Sequence, residues 1–357
     1  MRRRLLHLGL PIALVTALAC AGDAAPIAGP PTIQAVASAP EPERRSTLPP
    51  PQPAPAPEVA ANEVSLRRYT VPADGHPIAV YGKVPPRPRA ALLLVHGRTW
   101  SALPDFDLQA PGAKVSLMDA LAAAGVAAYA VDLRGYGETP RDATGFATPE
   151  RSAADVAEVL RFVEADAGVG RPYLLGWSLG SLVSALTVQT WPEAAAGVVL
   201  YGHPCRGGGS AKRAEAKPVN VGKSAKPAAA AETPKRATNT AASAASDFIT
   251  PGSVSREVVD AFVAAALKAD PVRADWRGGA AWDGLRFADL RVPVLVIHGE
   301  RDPVTGKACM AGRFAELEGV DRRWVVLAGG DHAAHLERSA PAFVAAVLEF
   351  IAAPASR

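Results

Sequence analysis

The sequence predicts an α/β protein: a mostly parallel, twisted sheet covered by helices on both faces. Three observations carry that prediction. Short apolar runs alternate with longer amphipathic stretches, the order that a parallel sheet requires. Several runs are apolar throughout, such as Ala91-Leu92-Leu93-Leu94-Val95, as expected of strands buried on both faces. Near the start, Asp74-Gly75 gives a hairpin turn signal, which places antiparallel strands at one edge.

The prediction covers part of the 357 residues. Residues 1–19 read as an export signal, with Arg2, Arg3 and Arg4 followed by the apolar run Leu5 to Leu18. That run is shorter than the ~20 residues of a membrane span. Two cleavage readings stand together. Ala17 and Ala19 fit an ordinary signal peptide, and the following Cys20 also resembles a bacterial lipoprotein box, with Cys20 lipidated as a membrane anchor. The expected location is a membrane surface in the second case and periplasmic or extracellular in the first. Residues 20–62 are rich in Pro and Ala, which favours extended, unpacked chain, and read as a tether.

The folded part then runs in order. Val64 to Val71 and Pro77 to Lys83 form the hairpin, and Ala91 to Val95 is a buried strand. Val115 to Ala124 is a helix and Val126 to Val131 the next strand. Pro149 to Ala165 is a helix with Val156, Val159, Leu160 and Val163 on one face. Tyr173 to Leu175 is a strand, Leu179 to Trp191 a helix and Val198 to Leu200 a strand. Val292 to Ile297, Gly306 to Leu317, Trp324 to Leu327 and Pro341 to Ile351 continue as strand, helix, strand and helix. Residues 63–202 and 291–357 are thus the expected core.

Residues 203–290 break the rhythm. Within them, 207–245 is rich in Ala and Lys and is expected to be disordered or weakly helical. Ser255 to Lys268 reads as an amphipathic helix with Val258, Val259, Phe262, Val263 and Leu267 as its stripe. With Trp276 and Trp282 it is expected to form a small helical cap over a pocket. The competing reading is a surface insertion. A net charge of +3 gives no global sign of a nucleic-acid partner. Three cysteines, Cys20, Cys205 and Cys309, are too few for a disulfide framework and lack metal-like spacing.

Gly176-Trp177-Ser178-Leu179-Gly180 sits between a strand and a helix. There the serine occupies a sharp turn that flanking glycines make room for, and its hydroxyl stands at a helix N-terminus. A serine hydroxyl is a poor nucleophile without a base. Asp302 and His332 each follow an apolar strand, where open α/β sheets place their ligands. The chain order is serine, acid, histidine.

These blocks resemble the α/β-hydrolase superfamily, in its esterase, monoacylglycerol-lipase-like and serine-aminopeptidase-like branch. Val95-His96-Gly97, Asp132-Leu133-Arg134-Gly135-Tyr136-Gly137, the Gly176 to Gly180 elbow, His298-Gly299-Glu300-Arg301-Asp302 and Gly330-Asp331-His332 match its motifs in order. The resemblance implies the α/β-hydrolase fold, with nucleophile Ser178, acid Asp302 and base His332. It implies an oxyanion hole from the backbone N–H groups of Leu179 and Arg98, with Thr99 as the alternative to Arg98. It further implies acyl transfer from a small-molecule substrate without a cofactor. An acyltransferase or perhydrolase with the same residues, and a non-catalytic binding module, remain alternatives.

Each assignment has a rival in the residues. His335 competes with His332, which comes first after the strand and follows Gly329-Gly330. Glu300 competes with Asp302 but lies closer to its strand. His96 is expected to be structural, Asp132 and Arg134 to fix the loop after their strand, and His203 to be a loop residue. Trp177 is expected in the core or pocket wall, and Cys205 at a pocket entrance.

Overall fold

The computed structural model describes residues 64–205 and 233–353. The leader, the tether with Cys20, and residues 207–232 of the Ala/Lys-rich stretch lie outside the described residues. In chain order the elements are β1 (Arg67–Ala73), β2 (His76–Lys83), β3 (Ala90–Val95), α1 (Ala102–Phe106), α2 (Leu117–Ala123), β4 (Val126–Val131), β5 (Phe146–Ala147) and α3 (Pro149–Ala167). They continue with β6 (Tyr173–Trp177), α4 (Leu179–Thr190), β7 (Val198–Tyr201), α5 (Ala241–Ala245), α6 (Arg256–Ala269), β8 (Asp275–Trp276), β9 (Val294–Gly299), α7 (Lys307–Ala315), β10 (Arg322–Leu327) and α8 (Ala340–Ala352). None of the described helices is long and apolar enough to cross a membrane.

Eight strands form one sheet in the order β1-β2-β4-β3-β6-β7-β9-β10. The pairs β1–β2 and β2–β4 are antiparallel, and the rest are parallel. The expected edge hairpin forms because Asp74 and Gly75 both take positive φ, 49° and 71°, the twist that a two-residue hairpin turn needs. Successive side chains of β3 go to opposite faces. Leu93 and Val95 join one apolar cluster, with α3 residues Val156 and Leu160 and α4 residue Val183. Leu92 and Leu94 join the other, with Leu121 of α2 and Phe343 and Val347 of α8. Two-sided burial is therefore built into consecutive residues.

Helix α3 shows how local signals set its bounds. Thr148 accepts the Arg151 N–H at its start, Pro149 takes the first helical position, and Gly168 ends it at φ 65°.

Two expectations need correction. Residues 233–245 do not continue a structureless stretch. Thr240 and Ser243 cap each other to start α5, and Ala244 is fully buried. It packs with Val258, Phe262 and Ala266 of α6 against Trp100, Leu108 and Leu336. Of the expected α6 stripe, Val259, Val263 and Leu267 are only half-buried, because Ala266 takes the innermost fourth place.

The second correction concerns cysteine. Cys205 and Cys309 form a disulfide, with Cα atoms 5.7 Å apart. The two are 104 residues apart, so no local spacing announces the pair. It forms because the segment after β7 pairs with the loop before α7. There Cys205 bridges to Thr305, and the Gly306 N–H donates to the Cys205 carbonyl at 3.0 Å. Cys205 therefore ties the segment after β7 to helix α7 and is not a free thiol.

Candidate active site

Ser178 lies at the turn from β6 into α4 with φ 53° and ψ −117°. That backbone is costly for a side-chain-bearing residue, and such strain gathers at functional sites. The neighbouring glycines make it possible. A Cβ on Gly176 would run into the Gly180 carbonyl, and one on Gly180 into the carbonyls of Val95 and His96. Ser178 is the N-cap of α4, yet its side chain makes no cap hydrogen bond, so the hydroxyl is not committed to the helix. Its N–H donates to the Tyr201 carbonyl at 2.9 Å, tying the elbow to the end of β7.

Asp302 and His332 come together from the loops after β9 and β10. The carboxylate Oδ2 lies 3.1 Å from His332 Nδ1, and both residues are buried. A carboxylate facing Nδ1 places the proton on that nitrogen and leaves Nε2 with its lone pair. Asp302 Oδ1 accepts the N–H groups of Val304 and Thr305. Burial pushes this carboxyl up, but His332 and those N–H groups outweigh it, and the net shift is downward. Glu300, the rival acid, instead accepts the Gly329 N–H at 3.0 Å.

The backbone between β7 and the insertion closes this pair in. Gly202 takes φ 54°, and a Cβ there would stand 3.0 Å from His332 Cε1 and 3.3 Å from Asp302 Oδ2. Trp177, next to Ser178, donates its indole N–H to the His332 carbonyl at 2.8 Å. Ser178 and His332 are thus neighbours through Trp177 and Gly202. No hydrogen bond joins the Ser178 hydroxyl to His332 among the described residues, and such contacts commonly tighten only when substrate binds.

His335 has a different surrounding. Its Nε2–H donates to the Asp105 carbonyl at 2.8 Å, so Nδ1 faces the Tyr201 hydroxyl at 3.0 Å with its lone pair. Burial pushes its pKa down to about 3. It is a neutral, interior support.

The loop after β3 carries Arg98. His96 accepts the Leu133 N–H on Nε2 at 3.0 Å, so its Nδ1–H points to the Gly97 carbonyl. Burial lowers its pKa to about 4, which makes it a neutral strut. The Gly97 N–H donates to Asp105 Oδ2 at 3.1 Å, and the Tyr136 hydroxyl donates to the Arg98 carbonyl. Trp276 of the insertion donates to Tyr136 at 2.7 Å. Leu179 is the first residue of α4, so its N–H has no carbonyl within the helix to bond. Asp132 holds the Ala102 and Glu138 N–H groups and the Tyr81 hydroxyl, and burial raises its pKa to about 7. Arg134 forms a two-pronged pair with Asp155, both contacts 2.7 Å.

Several residues escaped the sequence reading. Tyr201 joins the loops of His332 and His335 through its hydroxyl. Asp247 of the insertion accepts the Trp100 indole N–H at 2.8 Å, and Asp270 accepts the N–H groups of Ser101 and Gly137. Burial raises Asp247 to about 6, against the opposing pull of His332 and Trp100. Lone acids in a low-complexity or loop setting give no periodic signal. Ser181 and His203 also meet, at 2.9 Å, but both are buried in the interior and burial lowers His203 to about 3.

An eight-stranded, mostly parallel sheet with this elbow at the end of a central strand defines an α/β hydrolase. The chain belongs to the family described as serine aminopeptidase, S33, whose model matches residues 86–339. No curated protein matches it. Solved structures repeat the fold. The thioesterase domain from the curacin biosynthetic pathway is 16% identical with a TM-score of 0.55, over 80% of this chain and 99% of that one. A hydrolase from Pseudomonas aeruginosa PA01 is 22% identical with a TM-score of 0.52, over 82% and 100%. Naproxen esterase from Bacillus subtilis is 15% identical with a TM-score of 0.53, over 80% and 92%. At these identities the likeness is one of fold.

Proposed function

We propose that the protein is a serine hydrolase of the carboxylesterase or lipase type, cleaving a carboxylic ester or related acyl bond of a small molecule. The supporting observation is the buried Asp302–His332 hydrogen bond set beside the strained Ser178 elbow. His332 Nε2 takes the Ser178 proton as the oxygen attacks the carbonyl carbon. Asp302 keeps the imidazole in the required tautomer and stabilises its cationic form. The N–H groups of Leu179 and Arg98 receive the tetrahedral oxyanion, a contribution of about 10²–10³ in rate per donor. His332 then protonates the leaving group. Water, deprotonated by the same nitrogen, releases the acyl group from Ser178.

The insertion serves as a cap. Support comes from its anchors, Asp247 on Trp100 and Trp276 on Tyr136, which both grip the loop of Arg98. The protein is exported, and Cys20 is its lipid anchor. Support comes from the leader and from the Cys205–Cys309 disulfide, which suits an oxidising compartment.

Labelling with a fluorophosphonate probe tests the chemistry. The wild type is expected to label and Ser178→Ala to stay unlabelled with activity reduced about 10⁴–10⁶-fold. Equal labelling of both sinks the reading. Metabolic palmitate labelling that persists in Cys20→Ala sinks the anchor.

A further inference from the structure

Beside the loops of Asp302 and His332 lies a cavity of about 330 Å³. Arg301 after β9, Glu337 to Ser339 before α8, and Thr250 to Ser253 of the insertion form its wall. Its chemistry is one-sided. Arg301 and Arg338 are exposed, and neither guanidinium has an ion pair or hydrogen bond among the described residues. Ser253 Oγ and Glu337 Oε1 are buried without a hydrogen-bond partner, in residues 8% and 5% exposed. A buried polar atom left unmatched is costly, so two around one cavity call for an occupant that matches them.

The remaining groups agree. Helix α8 starts at this wall, and its N-cap Ser339 gives its hydroxyl to the Ala334 carbonyl instead of capping the helix. At the start of this 13-residue helix the Ala340 N–H donates to the Glu337 carbonyl and Pro341 has no N–H, so the helix end contributes its dipole more than free donors. Glu337 looks like an obstacle but is not one. Burial, and then its side-chain hydrogen bond to Asp331, push its carboxyl up to about 8. Its Oε2 accepts the Asp331 N–H at 2.9 Å, and the carboxyl shares its proton with the Asp331 carboxylate beside it. Two guanidiniums, the Ser253 hydroxyl and the start of α8 therefore line one cavity, while the nearby carboxylates of Asp331 and Glu300 are engaged by the backbone N–H groups of Thr250 and Gly329.

We propose that this cavity binds a phosphate- or sulfate-type oxyanion, held by Arg301, Arg338 and Ser253 at the start of α8. The volume leaves room for a substituent on the anion, so a phosphomonoester fits as well as the free ion. Arg301 precedes Asp302, Glu337 holds the N–H of the residue before His332, and Ser253 belongs to the insertion. A bound oxyanion thus fastens three segments together. Binding does not rest on the chemistry of Ser178.

Thermal unfolding of the full chain in millimolar phosphate, with ionic strength held by chloride, tests the site. The wild type is expected to gain about 2 °C or more. Arg301→Gln and Arg338→Gln, both surface changes, are expected to weaken half-saturation about tenfold each. Arg161→Gln, exposed on α3, is expected to keep the full response. Broadening of the phosphorus-31 resonance by wild type, and its loss in the two variants, reads binding directly. A larger gain with glycerol 3-phosphate assigns the site to phosphomonoesters, and a larger gain with inorganic phosphate assigns it to the free ion. No gain in the wild type, or an equal gain in both variants, overturns the proposal. Fluorophosphonate labelling is unaffected by either result, so this failure and that of the serine chemistry are distinguishable.

Discussion

The Ser178 elbow is fixed by backbone, whereas the insertion at 233–290 is fixed by a handful of side chains. At the elbow, carbonyls of Gly180, Val95 and His96 fill the space where side chains of Gly176 and Gly180 would sit. The insertion instead rests on the packing of α5 and α6 against Trp100, Leu108 and Leu336, on the Trp100–Asp247 and Tyr136–Trp276 contacts, on Asp270, and on the Thr250 N–H that donates to Asp331. The difference teaches where the molecule tolerates change. A turn built from close carbonyls admits no added atom, while an insertion hung on separate anchors can be retuned one residue at a time.

Four substitutions sharpen or break that contrast. The largest effect is expected from Asp302→Asn, which keeps the shape but holds His332 in the wrong tautomer. Turnover at neutral pH should fall about 10⁴-fold with little change in the unfolding midpoint. A loss under tenfold would move the acid role elsewhere.

Next comes Gly180→Ala, whose Cβ must displace the Val95 and His96 carbonyls. We expect a stability loss of about 3 kcal/mol or more in urea unfolding. Gly312→Ala, in α7 with open space around it, should gain up to about 1 kcal/mol. Similar values for the two would break the argument that the elbow is sterically closed.

The smallest effect is expected from Asp247→Asn in the insertion. It keeps a hydrogen bond acceptor for Trp100, so KM should change a few-fold and kcat less. Its pH signature is specific. The folded carboxyl sits at about 6, above the ordinary 3.8, so its proton favours the folded state. That contribution is full below about pH 4 and is lost as pH rises through 6. The wild type should lose stability across that window, and the variant should show a flatter profile in unfolding series at fixed ionic strength.

Much of the fold was legible because its signals are local. The strand Val126–Val131 has the bounds that its apolar run suggests, and the α3 helix is framed by Thr148 and Gly168. The α1 helix was not legible. Its five residues include Pro104 and show no helical period. The short β5–β8 pairing was also missed, since two residues per strand carry no alternation. At the site, Gly176 to Gly180 announced its turn, but Tyr201, Asp247 and Asp270 act through contacts 31 to 169 residues distant in sequence.

By itself the sequence determined the alternation of strands and helices, the Ser178 turn, and the order of the serine, aspartate and histidine motifs, because each is written within a few neighbouring residues. Tertiary structure decided what depends on distant chain meeting. It brought Asp302 and not Glu300 to His332, and it seated His335 between Tyr201 and Asp105. It joined Cys205 to Cys309 and ordered residues 233–245 against Trp100. The physical reason is common to all of these. Propensity and capping act over one or two turns of chain, whereas burial and hydrogen-bond satisfaction are settled only when the sheet has brought remote loops together.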